Sequence, residues 1–188
     1  MMRSRIIGIG GISAAGKSTL CQALGKALDA TVVLWDEYEK FSKEPENYFE
    51  WFQTSRDYNE WRYDALESVL KMLKAGKSIV CPVTGKNLNA TKYVIFEAPL
   101  ARKHHQTGQY IDFLIFLDTP PDIALARRLL REFQTNKDPR EIINELNNYL
   151  IAERPLYLWS HEADHQAEIS VNGSLSLEDQ VNCILNVL

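Results

Sequence analysis

The chain has 188 residues, of which 45% are hydrophobic and 24% are charged, a composition that is ordinary for a globular protein. A chain of this length is most simply one domain, 1–188, with a core large enough to need no disulfide or structural metal. Its net charge of −4 offers no bulk attraction for nucleic acid or for an anionic membrane, so we expect neither as a partner.

The cysteines and the apolar segments predict a cytoplasmic protein. The three cysteines are far apart and form no Cys-x-x-Cys pair, which is typical of a reducing compartment. No apolar run approaches the roughly 18 residues that cross a bilayer. The arginines and the short apolar stretch near residue 5 are similar to a signal peptide, but this stretch is rich in glycine and continues into a lysine-serine-threonine motif, so we interpret it as a strand. Either a monomer or a homodimer is compatible with the sequence.

A glycine-rich loop, GGISAAGKST at residues 10–19, lies between a predicted strand at 6–10 and a predicted helix at 18–28. From Gly11 to Ser18 it fits Gly-x-x-x-x-Gly-Lys-Ser, the pattern of a loop that cradles nucleotide phosphates. Small residues let successive backbone N–H groups converge on an anion, and the N-terminus of the helix adds its dipole. The predicted contacts with the nucleotide are Gly11, Ser13, Ala14, Ala15, Gly16, Lys17, Ser18 and Thr19.

Polar side chains at the end of this loop carry its predicted chemistry. We expect Lys17 to bridge the β and γ phosphates as a point charge, and the hydroxyl of Ser18 to ligate Mg²⁺. Thr19 is expected near the α phosphate. The alternative, a glycine-rich turn with an exposed lysine, is disfavoured by the strand before the loop and the helix after it.

The remaining apolar segments alternate between strand and helix patterns. Strands are predicted at 31–34, 78–83, 93–96, 113–117 and 168–171, and helices at 58–74, 120–133, 139–153 and 176–188. The segment CPVTGKNLNATKY, 81–93, is also compatible with a hairpin that has Gly85 or Asn87 at its turn. Apolar strands separated by helices predict an α/β fold, a parallel sheet with helices on both faces, in which ligands bind beyond the carboxyl ends of the strands.

Three acidic residues, Asp36, Glu97 and Asp118, directly follow predicted strands. Phosphoryl transfer needs a metal, positioning and an acceptor for the proton of the attacking hydroxyl, so one acid should hold Mg²⁺ and another should approach the acceptor. We favour Asp36 for the catalytic role and Glu97 for the metal or the substrate. The pattern by itself does not choose between Glu97 and Asp118 as the acid nearer Mg²⁺. Asp118 is also suited to capping the helix that follows, and Asp36 to capping a turn.

The stretch LARRLLREF carries Arg127, Arg128 and Arg131 on a predicted helix. Arg127 and Arg131 are one turn apart on one face of that helix. Phosphoryl-transfer enzymes use arginines, often on a mobile lid, to neutralise charge on the transferred group, so a lid is predicted at about 127–140. The alternative is a solvated helix in which Arg128 pairs with Glu132.

The histidines indicate no site. For His104 and His105 the alternatives are a contact with phosphate and an exposed pair, and we favour the exposed pair. His161 and His165 have a spacing that could hold a metal ion, but no third ligand is evident, and we assign them no role.

These motifs resemble the small P-loop nucleoside kinases of the uridine kinase and nicotinamide riboside kinase type. The resemblance rests on GISAAGKST after the first strand, DEYEKF after the second, YDALESVLKML, VIFEAP, FLIFLDTPPDIALARRLLREF and ISVNGSLSLEDQV. It implies a doubly wound P-loop NTPase-type fold with a mainly five-stranded parallel sheet and a short helical lid. It also implies that Mg·ATP gives its γ-phosphoryl group to a hydroxyl of a nucleoside-like small molecule.

The resemblance also implies roles for particular residues. Asp36 falls on the aspartate that is the base for the substrate hydroxyl, and Glu97 on the acid near Mg²⁺. Lys17, Arg127 and Arg131 are expected to act in catalysis, with Arg128 a lid arginine at the nucleotide. Asn172 and Gly173 fall on the loop near the base of the nucleotide.

The chain departs from the family pattern where the acceptor is expected. It has Glu97-Ala98-Pro99 in place of Glu-Gly, and Glu37-Tyr38 follows Asp36 in place of an aspartate or serine followed by phenylalanine. These differences leave the acceptor open. One alternative is a nucleoside monophosphate or other metabolite kinase, in which Arg56, Arg62 and Arg102 would grip a substrate phosphate. Another is a regulatory module that binds nucleotide without turnover.

Overall fold

A five-stranded parallel sheet is the centre of the computed structural model, which describes residues 3–133, 138–162 and 166–188. The strands within these described ranges are β1 (Arg5–Gly10), β2 (Thr31–Val33), β3 (Ile79–Val80), β4 (Asn87–Leu88), β5 (Tyr93–Glu97), β6 (Phe113–Asp118) and β7 (Ile169–Asn172). The order in the sheet is β2-β5-β1-β6-β7, and all neighbouring strands in it are parallel. The predicted α/β class is therefore confirmed.

Helices connect these strands. They are α1 (Lys17–Ala27), α2 (Tyr48–Gln53), α3 (Asp64–Lys74), α4 (His105–Gly108), α5 (Pro121–Glu132), α6 (Pro139–Asn148), α7 (Arg154–Glu162) and α8 (Leu177–Leu185). Short 3-10 helices occur at Trp35–Phe41, Tyr58–Glu60 and Ala101–Lys103, and a π-helical turn at Tyr149–Glu153 joins α6 to α7.

The two faces of the sheet bury separate apolar clusters. Ile6 and Ile7 are neighbours on β1 and both fully buried, but they belong to different clusters because alternate side chains of a strand point to opposite faces. Leu66 of α3 packs in the cluster of Ile6, and Leu20 of α1 in that of Ile7. Helices thus cover the sheet on both faces, as the apolar strands predicted.

The predicted strand at 78–83 is confirmed only for two of its residues, and it does not join the parallel sheet. Only Ile79–Val80 is a strand, and it pairs with β4 as an antiparallel hairpin. Pro82 has no N–H to donate to a ladder, which limits the strand to its first residues. The hairpin prediction is confirmed: Gly85 lies in the turn with φ of +70° and donates its N–H to the carbonyl of Cys81.

The predicted helix at 58–74 is divided into the 3-10 helix Tyr58–Glu60 and α3, because backbone groups between them form hydrogen bonds to another segment. Arg62 forms an antiparallel bridge with Lys43, in which each N–H donates to the other carbonyl. These groups cannot then serve a continuous helix, and α3 begins at Asp64. The helix predicted at 139–153 continues beyond its predicted end, through the π-helical turn and α7.

The predicted lid at about 127–140 includes residues 134–137, which lie outside the described residues. Its described part comprises the end of α5 and the beginning of α6. The lid and the single domain stay predictions.

Candidate active site

A cleft of about 620 Å³ opens at the carboxyl ends of β1 and β5. The phosphate-loop candidate forms one wall, and the 3-10 helix after β2 forms another. Residues after β5, side chains from α5 and α7, and residues between 44 and 61 also line the cleft. The cleft lies where parallel α/β sheets bind their ligands.

The loop between β1 and α1 has a backbone conformation that few residue types adopt. Gly11 and Gly16 have φ of +146° and +107°, and Ala14 has a left-handed φ of +58°. A Cβ on Gly11 would lie 2.9 Å from the carbonyl oxygen of Leu117, so glycine is required there for two independent reasons. Such a left-handed alanine costs roughly 1–2 kcal/mol, and backbone strain of this kind is concentrated at ligand sites.

Lys17 begins α1 and lies almost entirely beneath the loop, with 8% of its surface exposed. Its Nζ donates a hydrogen bond to the carbonyl oxygen of Ile12 at 3.0 Å. Burial lowers the pKa of Lys17, while the carboxylates of Glu97 and Asp36 raise it. The ammonium group is thus held in place beside the cleft, and an anion would compensate its loss of hydration.

Ser18 and Glu97 meet although they are 79 residues apart in the chain. The hydroxyl of Ser18 donates to Oε1 of Glu97 at 2.7 Å, while the buried Oε2 has no hydrogen-bond partner in the described part of the chain. Burial raises the pKa of Glu97, against the lowering effects of the Ser18 hydroxyl and Lys17. A buried carboxylate oxygen without a partner is costly. A hydroxyl and a carboxylate are oxygen donors of the kind that Mg²⁺ prefers, so these residues fit that ion.

Asp118, the alternative acid, is not among the residues that line the cleft. Its Oδ1 accepts a hydrogen bond from Nε2 of His161 at 2.8 Å. The expectation that Asp118 caps the next helix is wrong: in the described part of the chain α5 has no side-chain cap, because this carboxylate is directed to α7 instead. His161 therefore has a structural contact that sequence analysis missed, and His165 lies outside the described residues.

Arg127 joins the phosphate loop to the turn after β7. Its Nη1 donates to the carbonyl oxygen of Ala15 at 2.9 Å, and its Nη2 donates to that of Gly173 at 3.0 Å. Thr119 Oγ1 also donates to the Ala15 carbonyl at 2.9 Å, and a Cβ on Gly173 would lie 1.8 Å from this hydroxyl oxygen. Arg127 lines the cleft, whereas Ala15, Asn172 and Gly173 do not.

Arg128 and Arg131 have different surroundings. Arg128 forms ion pairs with Glu132 at 3.4 Å, with Glu153 at 2.5 Å and with Glu145, and it does not line the cleft. The alternative pairing with Glu132 is thus confirmed, and these contacts tie α5 to α6 and the π-helical turn. Arg131 lines the cleft with an exposed side chain that lies 3.6 Å from Glu132.

Asp36 is exposed to the cleft at the start of the 3-10 helix Trp35–Phe41. Its side chain caps no element and has no hydrogen bond or ion pair within the described residues, so the capping alternative is wrong. Asp36 acts electrostatically on both Lys17 and Glu97. A carboxylate without a partner is thus close to the phosphate loop.

Aromatic rings form another wall of the cleft, here called the aromatic wall. Trp51 and Trp61 make an edge-to-face contact with centroids 4.6 Å apart, and Trp159 of α7 stacks on Tyr58 at 6.2 Å. All four line the cleft. The aromatic composition of residues 48–61 is visible in the sequence. Trp159 was missed because α7 was not predicted.

His104 stands behind this wall and is completely buried, so the expectation of an exposed pair is wrong for it. Its Nε2–H donates to the carbonyl oxygen of Trp61 at 3.1 Å, and its Nδ1 accepts from the hydroxyl of Thr107 at 2.8 Å. Burial lowers the pKa of His104. His105, in contrast, is exposed.

A glycine loop between the first strand and first helix of a parallel α/β sheet, with a buried lysine beside it, defines the class of P-loop proteins. Residues 7–148 match the family described as "AAA domain". Uridine kinase of Cronobacter sakazakii (strain ATCC BAA-894) is 31% identical over 172 residues, which cover 81% of this chain and 79% of that protein. Uridine-cytidine kinase-like 1 of Mus musculus is 29% identical, and the match covers 77% of this chain but 29% of that protein.

A solved structure supports the fold separately. An unliganded sugar kinase from Janibacter sp. HTCC2649 has a TM-score of 0.57 at 15% identity, covering 97% of this chain and 93% of that chain. The chain belongs to the AAA domain family and to the uridine kinase family. The predicted fold, family and enzyme class, a phosphotransferase with an alcohol group as acceptor, are confirmed.

In the described ranges, none of the helices has the length and apolar character needed to cross a membrane. The cytoplasmic location and the choice between monomer and homodimer stay predictions.

Proposed function

We propose that this protein transfers the γ-phosphoryl group of ATP to a hydroxyl group of a nucleoside. The observation that carries the proposal is the position of Asp36, a carboxylate without a partner among the described residues, in one cleft with Lys17 and the phosphate loop. The match to proteins named uridine kinase supports a nucleoside as the acceptor.

The cleft would have a donor side, which binds ATP, and an acceptor side, which binds the nucleoside. On the donor side, the N–H groups of the phosphate loop and the ammonium of Lys17 would hold the phosphates of ATP. Ser18 and Glu97 would hold Mg²⁺, which neutralises phosphate charge when bound. Arg131, exposed and beside the cleft, would approach the transferred group.

On the acceptor side, Asp36 would accept the proton of the attacking hydroxyl. The new bond joins that oxygen to the γ phosphorus, while the bond from the γ phosphorus to the β–γ bridging oxygen breaks and ADP leaves with the electron pair. The aromatic wall would provide a flat apolar surface for the nucleoside base.

The arginines that a substrate phosphate would require have other contacts. Arg56 donates from Nε to the carbonyl oxygen of Phe52 at 2.7 Å, and Arg102 pairs with Glu168 at 2.7 Å. Arg62 lies 3.9 Å from Asp64. None of these three arginines lines the cleft, so their positions favour a nucleoside over a nucleoside monophosphate.

The test is to incubate the protein with Mg·ATP and separate samples of uridine, cytidine, adenosine and uridine monophosphate, and to identify products by mass spectrometry. We expect a phosphorylated nucleoside, and we expect Lys17→Ala to lower its formation by at least about a hundredfold. Binding of ATP without phosphorylation of any hydroxyl would contradict the proposal and favour a regulatory module.

A further inference from the structure

The carbonyl oxygen of Ala15, in the phosphate loop, accepts hydrogen bonds from two side chains that lie outside the loop. Oγ1 of Thr119 and Nη1 of Arg127 each donate to it at 2.9 Å. A carbonyl oxygen has two lone pairs, so it can accept both bonds at once. Thr119 directly follows β6, and Arg127 is on α5, the next helix of the chain. The orientation of one loop carbonyl is therefore fixed from the junction of β6 and α5.

A fixed carbonyl at Ala15 also fixes the direction of the N–H group of Gly16. The peptide bond between the two residues is trans, and in a planar trans peptide the C=O and the N–H point in opposite directions. Gly16 lines the cleft, whereas Ala15 does not. The N–H of Gly16 has no hydrogen-bond partner in the part of the chain that the structure describes. It is therefore available to an anion at the start of α1.

The hydroxyl of Thr119 has little freedom to leave this position. Thr119 is completely buried, and the turn after β7 lies against it, because the N–H of Gly173 donates to the carbonyl oxygen of Asp118 at 2.7 Å. Nε2 of Gln180, on α8, donates to the carbonyl oxygen of Gly173 at 3.3 Å and holds the turn from its other side. Any side chain at residue 173 would collide with the hydroxyl of Thr119. The hydroxyl is thus in place without a ligand.

We propose that Thr119 is a positioning residue for phosphate binding: its hydroxyl orients the peptide between Ala15 and Gly16 so that the N–H of Gly16 meets a phosphate group of ATP. This inference rests on the proposed function, in which the loop binds the phosphates of ATP. Thr119 does not line the cleft, so it acts through the loop. Arg127 donates to the same oxygen, but it also brings a positive charge to the cleft. Thr119 is neutral, so its substitution measures the orientation of the peptide without a change of charge.

The test compares Thr119→Val with Thr119→Ser by calorimetric titration with ATP and with inorganic triphosphate. Valine has nearly the shape of threonine but no hydroxyl, whereas serine keeps the hydroxyl. We expect Thr119→Val to raise the Kd of both ligands about tenfold and Thr119→Ser to change either value little. Inorganic triphosphate has no base or sugar, so an equal effect on both ligands assigns the change to the phosphate loop.

Thr107→Val is the matched control for a general loss of stability. Thr107 is also a buried threonine, and its hydroxyl donates to Nδ1 of His104 at 2.8 Å, but neither residue lines the cleft. Thr107→Val should lower the free energy of unfolding in urea, as Thr119→Val does, while it keeps the wild-type Kd for ATP.

Three results would overturn the inference. They are equal effects of Thr119→Val and Thr107→Val on the Kd of ATP, a Thr119→Ser protein as weak as Thr119→Val, and a loss of ATP affinity without a loss of triphosphate affinity. Weaker triphosphate binding by Thr119→Val, in a protein whose wild type phosphorylates no nucleoside, would support the role of Thr119 and contradict the proposed function. Nucleoside phosphorylation with the same ATP affinity in Thr119→Val and the wild type would do the reverse.

Discussion

The guanidinium group of Arg127 holds the carbonyl oxygen of Ala15 in the phosphate loop at 2.9 Å. Its second nitrogen holds the carbonyl of Gly173, so both of these donors are directed to backbone rather than to the open cleft. Sequence analysis grouped Arg127 with Arg131 as catalytic lid arginines. From these contacts we infer that Arg127 positions the loop, while Arg131 has an exposed side chain at the cleft.

Substitution of Arg127 and Arg131 should therefore have different kinetic effects. Arg127→Ala loosens the loop, and we expect KM for ATP to rise about tenfold because hydrogen bonds from a charged donor are lost. Arg131→Ala should mainly lower kcat, since its role is to neutralise charge on the transferred group. Initial rates at varied ATP distinguish the two. A fall in kcat without a change in KM for Arg127→Ala would show that it acts on the phosphoryl group itself.

Asp36→Asn should preserve ATP binding and lower turnover. Asparagine has nearly the same size but does not accept the proton of the hydroxyl, and a positioned general base contributes typically about 10²–10⁴-fold to a rate. Steady-state turnover and calorimetric ATP binding are the measurements. Glu37→Gln, next to it on the same helix but paired with Lys86, should retain the wild-type rate. A wild-type rate in Asp36→Asn would exclude Asp36 as the base.

Glu97→Gln should weaken the affinity of the protein for Mg·ATP. Glutamine can still accept the hydrogen bond from Ser18, but it lacks the negative charge that attracts a cation. We expect the Mg²⁺ concentration for half-maximal ATP binding to rise about tenfold.

Asp118→Asn is the control for this metal assignment, since Asp118 also follows a strand but faces His161. It should leave the Mg²⁺ dependence of ATP binding unchanged. A larger rise in the required Mg²⁺ concentration for Asp118→Asn than for Glu97→Gln would show that Asp118, and not Glu97, is the acid nearer the metal.

Acidification should destabilise the fold through His104. Its folded-state pKa is lowered by burial, so below its ordinary pKa, roughly 6.5, the unfolded chain binds a proton that the folded chain does not. The stabilisation of the fold by the buried, neutral His104 is fully present above that pH. It is lost as the pH falls toward the lower folded-state pKa. Urea unfolding at pH 8 and pH 5.5 measures it. His104→Gln should be less stable at pH 8 and should lose less stability on acidification.

Equal pH dependence in His104→Gln and the wild type would show that other groups cause the acid sensitivity.

Local pattern was sufficient for the phosphate loop and for the class of fold. The spacing from Gly11 to Ser18, between an apolar strand and a helix, is a property of contiguous residues, and the structure has that loop with left-handed backbone at its glycines. The errors arose where the outcome depended on a pairing partner. The strand predicted at 78–83 is shorter and lies in a hairpin rather than in the sheet, because its apolar residues do not reveal with which strand they pair.

A phosphate loop is built from consecutive backbone groups, so residues 11–18 alone were enough to predict it. The folded chain was needed to show which acid meets Ser18, which arginine holds Ala15, and that His104 is buried behind Trp61. These partners are 79, 112 and 43 residues apart, and the order of the sheet rather than the spacing of the chain brings them together. Side-chain partners chosen across such distances depend on which strand ends are adjacent, and periodicity along one chain does not contain that information.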